Sequence, residues 1–333
     1  APKDRILFLD IETTGFSPVS ASLYLIGAAY CDGKEWRITQ WFAESPEEEK
    51  DVLMAFFRFS SGFTHLVHFN GSRFDLPFLK QKSEASGVKY PFDSYEGTDI
   101  FRRISPLKKL LNLKDCRQKT LEAFLGIGRE DLYNGGQLIA VYEAYVKSLK
   151  AGDPSEELLK LLLLHNFEDM LGMLKLMPIL SFSDLFTGRV KPVRVSSIVL
   201  PPGVNQVPGS PERKKELQIK LTLPSPLPVP FESLREGCRF SSEGDSGLLR
   251  IPVYSGELKY FHPEYKDYYY LPEEDEAMHK SVAAYVDKDH RQKAKAENCY
   301  TRKTGDFLPQ WDPIVSPCFK SDYRSKHLFF EIT

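Results

Sequence analysis

The chain reads as an α/β fold followed by a smaller, β-rich second domain. Three observations predict this. Short β-rich segments and helical segments alternate from residue 4 to about residue 183. Beyond that point helical periodicity gives way to proline-dense sequence and alternating strands, which predicts a boundary near residue 187 and domains over 1–186 and 187–333. The chain has 333 residues, more than the roughly 250 that one core normally organises.

The elements follow in order. The stretch RILFLDIETTG, Arg5 to Gly15, is a strand running into a turn. LYLIGAAYC and EWRITQWF follow, separated by the turn signal DGK, and predict an antiparallel meander of three strands. SPEEEKDVLMAFFRF is a helix, with Ser45 as its cap, Pro46 in its first turn and Glu48 at the capping-box position. THLVHFNG is a fourth strand, DLPFLKQKSEA opens a second helix, and a short fifth strand lies near YEGTDIF. From Asp99 to Asp169 the chain reads as helical, and its last helix is signed by Asp153 as cap, Pro154 at the first position and Pro178 at the far end. In the second domain ELQIKLTL alternates cleanly, LLRIPVYSGELKYF predicts a hairpin turning at Ser255-Gly256, and PEEDEAMHKSVAAYV predicts a helix.

The formal net charge of −2 gives no global field toward nucleic acid, so a polyanion must be met by a local patch or through bound cations. Five cysteines (Cys31, Cys116, Cys238, Cys299, Cys318) lack metal-site spacing and predict reduced thiols and a cytoplasmic location. No apolar run approaches the ~20 residues of a membrane span, and no signal peptide is visible, so no membrane partner is expected. The sequence begins at Ala1, without a methionine, and enters a strand at once, which leaves open whether an N-terminal segment is missing.

Three places carry carboxylates where they are costly. Asp10 and Glu12 lie two apart in the first strand and share a face, about 6.6 Å apart along it. That strand is apolar on both sides, so two acids at its end need cations or hydrogen bonds, or else an exposed strand end. Asp75 follows the fourth strand, where it is either an N-cap or a metal ligand; Asn70, Ser72, Arg73 and Phe74 share its turn. In LLLLHNFEDMLGML, His165 and Asp169 project from the apolar stripe of Leu158, Leu161, Gly172 and Leu176, as a satisfied Asp–His pair or as part of a site. Together they supply four acids and a base, the inventory of a two-metal phosphodiester hydrolase, in which the ions stand about 3.5–4 Å apart.

These motifs carry a resemblance. FLDIETTG resembles the first motif of the DEDD (DnaQ-like) 3′–5′ exonucleases, HFNGSRFDLPFL their second, and HNFEDMLGM stands in the place of the third. The intervening TDIFRR, KTLEAFLGIGREDLYNG and HNFEDMLGM resemble the YprB-type, RNase H-like group of that superfamily, over about residues 4 to 180. The resemblance implies an RNase H-like fold, with a mixed five-stranded sheet flanked by helices. It implies that Asp10, Glu12, Asp75 and Asp169 bind two divalent cations, Mg²⁺ or Mn²⁺, and that His165 orients or deprotonates the attacking water. It places Thr14 near the terminal nucleotide. One departure stands out: the histidine precedes the last Asp by four residues, as in the tyrosine branch, where the histidine branch has five. Four is also the spacing that puts both on one helical face.

The resemblance implies removal of nucleotides from single-stranded 3′ ends, DNA or RNA. The alternatives are an endonuclease on the same site and a catalytically silent nucleic-acid-binding module. Asn70 and Phe74 are substrate-contact candidates, with Phe74 either stacking a base or filling the core. Arg102 and Arg103 open a basic stretch that continues through Lys108, Lys109, Lys114, Arg117 and Lys119, read as a phosphate-backbone contact or a solvated face. In the second domain Tyr260, Phe261, Tyr265, Tyr268, Tyr269 and Tyr270 either stack bases or build the sheets of an accessory domain.

Overall fold

The computed structural model describes residues 1–130, 133, 135–185, 191–199 and 215–332, with 191–199 given by its backbone. The predicted boundary at residue 187 lies outside the described residues. By its contacts the chain forms two compact units, Ala1–Arg189 with Pro224–Val229, and Val190–Leu223 with Pro230–Thr333.

The first unit is built on β1 (Ile6–Thr13), β2 (Leu23–Asp32), β3 (Glu35–Phe42), β4 (His65–His68) and β5 (Glu96–Asp99), in the order β3-β2-β1-β4-β5. β1 pairs antiparallel with β2 and β2 with β3, whereas β1–β4 and β4–β5 are parallel. This is the mixed sheet that the motifs implied. Gly33 turns the meander in the left-handed region, at φ 68°, where a glycine carries no steric cost.

Helices cover both faces. α1 (Glu49–Ser60) and α2 (Asp75–Ser86) pack on the side of Leu7, Leu9 and Ile11. Leu53, Phe56, Phe78 and Leu79 are fully buried there, and each such side chain contributes about 1.5–3 kcal/mol. After α3 (Ile100–Ile104) and α4 (Gln118–Phe124), α5 (Gly135–Lys150) and α6 (Glu156–Leu176) cover the other face. Their core joins Tyr24 and Leu25 of β2 to Leu138, Tyr142, Tyr145 and Leu162, and α7 (Leu180–Asp184) follows. β1, central in the sheet, is therefore buried on both sides.

Two predicted caps differ. A 3₁₀ turn over Pro46–Glu48 precedes α1, and Ser45 makes no side-chain capping bond to it; instead Glu48 Oε2 accepts from the Glu44 amide at 2.9 Å. α6 is capped by Ser155 rather than Asp153, because the helix starts at Glu156, leaving Pro154 outside it. The Asp153 amide is spent on the carbonyl of Ser148 at the end of α5.

The second unit holds β6 (Lys191–Val199), β7 (Glu216–Thr222), β8 (Phe231–Arg235), β9 (Cys238–Glu243) and β10 (Ser246–Pro252) in one sheet, ordered β6-β7-β10-β9-β8. β11 (Tyr254–Phe261), β12 (Tyr268–Leu271), β13 (Glu276–His279), the single-turn α8 (Lys280–Ala283), β14 (Gln292–Lys293), β15 (Tyr300–Gln310) and β16 (Leu328–Glu331) complete it, in sheets ordered β11-β15-β16 and β13-β12-β14. The hairpin predicted at Ser255-Gly256 is not formed. β10 pairs with β7 and β9, and β11 with β15, so Gly256 sits mid-strand opposite Gly305. The helix predicted over 272–286 is also replaced. Asp275, at φ 53°, turns the chain back so that Glu276–His279 pairs with Tyr268–Leu271, leaving four helical residues. Tyr260, Tyr268, Tyr269 and Tyr270 are half-buried in the sheets, and Tyr265 lies in a 3₁₀ turn between strands: His262 stacks on Tyr268 at 4.4 Å, and Tyr270 and the buried Tyr300 both donate to Asp275. All five cysteines are free. Among the described residues no helix is long and apolar enough to cross a membrane.

Candidate active site

The site begins where the parallel pairing of β1 runs out. β4 pairs with β1 only from Ile6 to Phe8. Further along β1 the Ile11 amide donates instead to Asp75 Oδ1, at 3.3 Å. Asp75 is the first residue of α2, delivered by a tight turn in which Asn70 takes φ 61° and Gly71 packs against His68 and Asp75. A Cβ on Gly71 would stand 2.9 Å from His68 Cγ and 3.0 Å from Asp75 Oδ2. The third acid is thus tied to the backbone of the strand that carries the first two.

On the α6 face of β1 stand Asp10 and Glu12. Asp10 pairs across β2 with Gly27, and the missing side chain opens a slot for Asn166 of α6. Asn166 Nδ2 donates to Asp10 Oδ2 at 2.9 Å, while its Oδ1 accepts from Gln40 of β3 at 3.0 Å. Gln40 also donates to the Leu163 carbonyl at 2.9 Å, pinning α6 to the sheet. One residue before Asn166, His165 Nε2 lies 3.2 Å from Asp169 Oδ2 and 3.6 Å from Glu12 Oε1. Ligand atoms of Glu12, His165 and Asp169 all fall within 4.8 Å of one another.

The electrostatics match this crowding. Burial pushes the Asp10 carboxyl well above the usual range, and Asp169, Glu12 and Asp75 push it further, against the hydrogen bond from Asn166. Burial likewise carries Asp75 up to about 7, opposed by backbone amides that include Ile11 and assisted by Asp99. Four carboxylates thus converge with fewer positive charges than acids, which is the condition a hard divalent cation relieves. Their oxygens, with the imidazole nitrogen of His165, form a donor set that could hold a divalent cation.

The other predicted residues occupy varied places. The Thr14 hydroxyl accepts from the Ser22 amide at 2.8 Å and closes the turn after β1. Phe74 is half-buried against the α1/α2 core and meets the largely exposed Phe16 edge-on at 6.0 Å. The Asn70 amide donates to Asp99 Oδ1 at 3.0 Å, and its side-chain oxygen is buried with no hydrogen-bond partner among the described residues. Asp99 also caps α3 through the Arg102 amide, at 3.2 Å. Arg102 and Arg103 are exposed on α3, and the rest of the basic stretch continues, exposed, through 3₁₀ and turn segments to α4.

Some site neighbours were missed in the sequence. Asn166 and Gly27 had readable signals: a polar residue beside His165 in an apolar helix, and a lone glycine inside a buried strand. Glu122 and Arg129 had none beyond being charged. In the structure Arg129 Nη1 lies 2.6 Å from Asp169 Oδ1 and its Nη2 donates to Glu122 Oε1 at 2.7 Å.

Comparisons with known proteins bear on the first unit. A family model described as RNase H superfamily matches residues 7–181. No curated protein matches the chain. Solved structures similar to it include the family B DNA polymerase of Pyrobaculum calidifontis, at 17% identity and TM-score 0.44, over 55% of this chain and 26% of that one. Escherichia coli exonuclease I in complex with a dT13 oligonucleotide is similar at 14% identity and TM-score 0.33, over 44% and 40%. A product-bound exonuclease I is similar at 15% and 0.32, over 49% and 45%. The chain thus spans less than half the length of these structures. The family match covers more than half of the 333 residues and includes Asp10, Glu12, Asp75 and Asp169: the chain belongs to the RNase H superfamily.

Proposed function

We propose that this chain is a divalent-cation-dependent nuclease that removes nucleotides from the 3′ ends of single-stranded DNA or RNA. Membership of the RNase H superfamily supports the nuclease class. The 3′ polarity and the preference for a single strand rest on the likeness of the three motifs to the DEDD exonucleases. The observation that carries the reading is the crowding around Asp10, where three further carboxylates from β1, α2 and α6 raise its pKa beyond what burial does.

In this reading Asp10, Glu12, Asp75 and Asp169 hold two divalent cations, Mg²⁺ or Mn²⁺. When bound, these supply Lewis-acid polarisation of the scissile phosphate and a lowered pKa for water. The protein's own groups do the rest. His165 Nε2, facing Glu12 and Asp169, takes the proton of the attacking water. Asn166 holds Asp10 in one rotamer, and the Ile11 amide holds Asp75. Phe74 and the side chain of Asn70 meet the terminal nucleotide, and Arg102 and Arg103 meet phosphates further along the strand. Residues 187–333 act as an accessory domain.

The test is a 5′-labelled oligonucleotide incubated with Mn²⁺, with its 3′ end free or blocked. The expected result is a ladder shortening from the free 3′ end, no product from the blocked one, and none with Asp10→Asn. Internal cuts in the blocked strand would instead establish an endonuclease. Binding without cleavage by the parent chain would establish a silent binding module.

A further inference from the structure

We propose that Arg129 is a positioning residue of this site: a fixed cation that occupies one oxygen of Asp169, leaves the other facing His165, and lowers the affinity of the acid cluster for divalent cations. The proposal rests on the nuclease reading above and goes beyond it, since neither the motifs nor that reading assigns Arg129 a role.

The local sequence explains how the arginine arrives. α4 carries Gln118 and Glu122 on one side and is closed just beyond its end by Gly126, which takes φ 73°. The Gly126 amide donates to Ala123 and that of Ile127 to Glu122, a glycine-closed helix end that reverses the chain. Arg129 therefore returns to Glu122, seven residues earlier. Its Nε and Nη2 take the two carboxylate oxygens, and Nη1 is left for Asp169 Oδ1 at 2.6 Å. Gln118 completes the joint, donating to Glu122 Oε1 at 3.0 Å and to the Asp169 carbonyl at 2.7 Å.

On α6 the partner is Gly172, three residues after Asp169. A Cβ there would overlap the Glu122 carboxylate, so the glycine admits the whole assembly to the helix surface. The side chains of Glu122 and Arg129 are 1% and 9% exposed, so their charges act at low local dielectric. The planar fork of an arginine grips Glu122 through two nitrogens and leaves the third against Asp169 as an ion pair, an arrangement that a lysine ammonium does not reproduce.

Two consequences follow for Asp169. Its Oδ1 is ion-paired with Arg129, while Oδ2 stands 3.2 Å from His165 Nε2. A guanidinium, partly offset by Glu122, also stands in contact with one carboxylate of the acid cluster and opposes any second cation entering it. Support for the aspartate and repulsion of the metal act in opposite directions on metal affinity, and the charge is the larger effect.

The experiment is calorimetric titration of the full chain with MnCl₂, alongside kcat and KM on a single-stranded oligonucleotide. Arg129→Met is expected to bind Mn²⁺ about tenfold more tightly or better while kcat falls about tenfold or more and KM stays near that of the parent. Because Arg129→Met strands the buried Glu122, the pair Glu122→Gln/Arg129→Met is measured too and is expected to move in the same direction. Arg129→Lys, which keeps the charge and loses the fork, is expected to match the parent's Mn²⁺ affinity within about threefold yet share the loss in kcat. Mn²⁺ binding that is weaker or unchanged in the methionine variants, or tighter in Arg129→Lys, overturns the proposal and leaves the nuclease reading standing. A parent chain that neither binds Mn²⁺ nor cuts overturns both.

Discussion

Two aspartates, one in each unit, show opposite electrostatics. Asp10 is pushed well up by burial and by three acidic neighbours, with Asn166 as its hydrogen-bond support. Asp275 is held below the usual carboxylate range by hydroxyls from Tyr300 and Tyr270. The second is complete within the protein: its neighbours are donors, and they hold a turn closed. The first is incomplete, because its surroundings multiply its charge. A fold retains such an excess where something else brings the balance, and perturbed groups of this kind mark sites of chemistry.

The sharpest way to break this contrast is substitution at each pole. Asp10→Asn, or Asp169→Asn, is expected to cost on the order of 10³-fold in nuclease turnover with little loss of thermal stability, read by a gel assay beside a melting curve. Asp275→Ala is expected to leave turnover unchanged and to cost about 1 kcal/mol, read by denaturant unfolding. If Asp275→Ala abolished cleavage or Asp10→Asn left it intact, the contrast would be lost.

Next in size is Gly27→Ala. The added Cβ overlaps Asn166 and removes the only side-chain donor seen on Asp10 among the described residues. Turnover is expected to fall about tenfold to a hundredfold, at a stability cost of about 1–3 kcal/mol. Asn166→Ala in the same assay should reproduce the kinetic loss with a smaller stability cost.

A third measurement concerns protons. In the metal-free protein Asp10 and Asp75 hold theirs at a pH where ordinary acids have lost them, Asp75 up to about 7. Their raised values favour the folded state at low pH, and this contribution is lost as pH rises through the folded pKa. Mn²⁺ is therefore expected to raise the melting temperature more at pH 8 than at pH 6. An equal gain at both would place the cation elsewhere.

The smallest effect lies in the second unit. The hydrogen bond to Asp275, then burial, lifts Tyr270 to about 12; burial, then Asp275, lifts Tyr300 to about 12. Tyrosines in the unfolded chain lose their protons near about 10. Stability is thus expected to fall between pH 10 and 12, as the unfolded state releases protons that the folded state keeps. Tyr270→Phe/Tyr300→Phe should flatten that fall, measured by denaturant titration across the window.

Much of this was legible in the sequence, and the reason is locality. β2 and β3 sit where LYLIGAAYC and EWRITQWF place them, because alternation and the Gly33 turn act within a few residues. The four acids and His165 stood out because a charge in an apolar stretch is conspicuous without knowledge of its partners. The errors fell where partners decide. LLRIPVYSGELKYF contains two strands, but alternation does not say that β10 pairs with β7 and β9 while β11 pairs with β15. The Glu-rich PEEDEAMHK suits a helix by propensity, yet Asp275 turns it and β12 captures it. The Gln40–Asn166–Asp10 chain joins residues 126 and 156 positions apart, so no sequence window contains it.

That chain has an implication for folding fidelity. β3 is the outermost strand on its side of the sheet, where strand alignment is least constrained, yet its Gln40 is two hydrogen bonds from the central acid. If β3 slid by one position, Thr39 or Trp41 would take the place of Gln40 beneath α6, and the amide relay would have no first member. Misaligned molecules would then have the right outline but a loosely held Asp10 and, on the proposed function, would be inert rather than erratic.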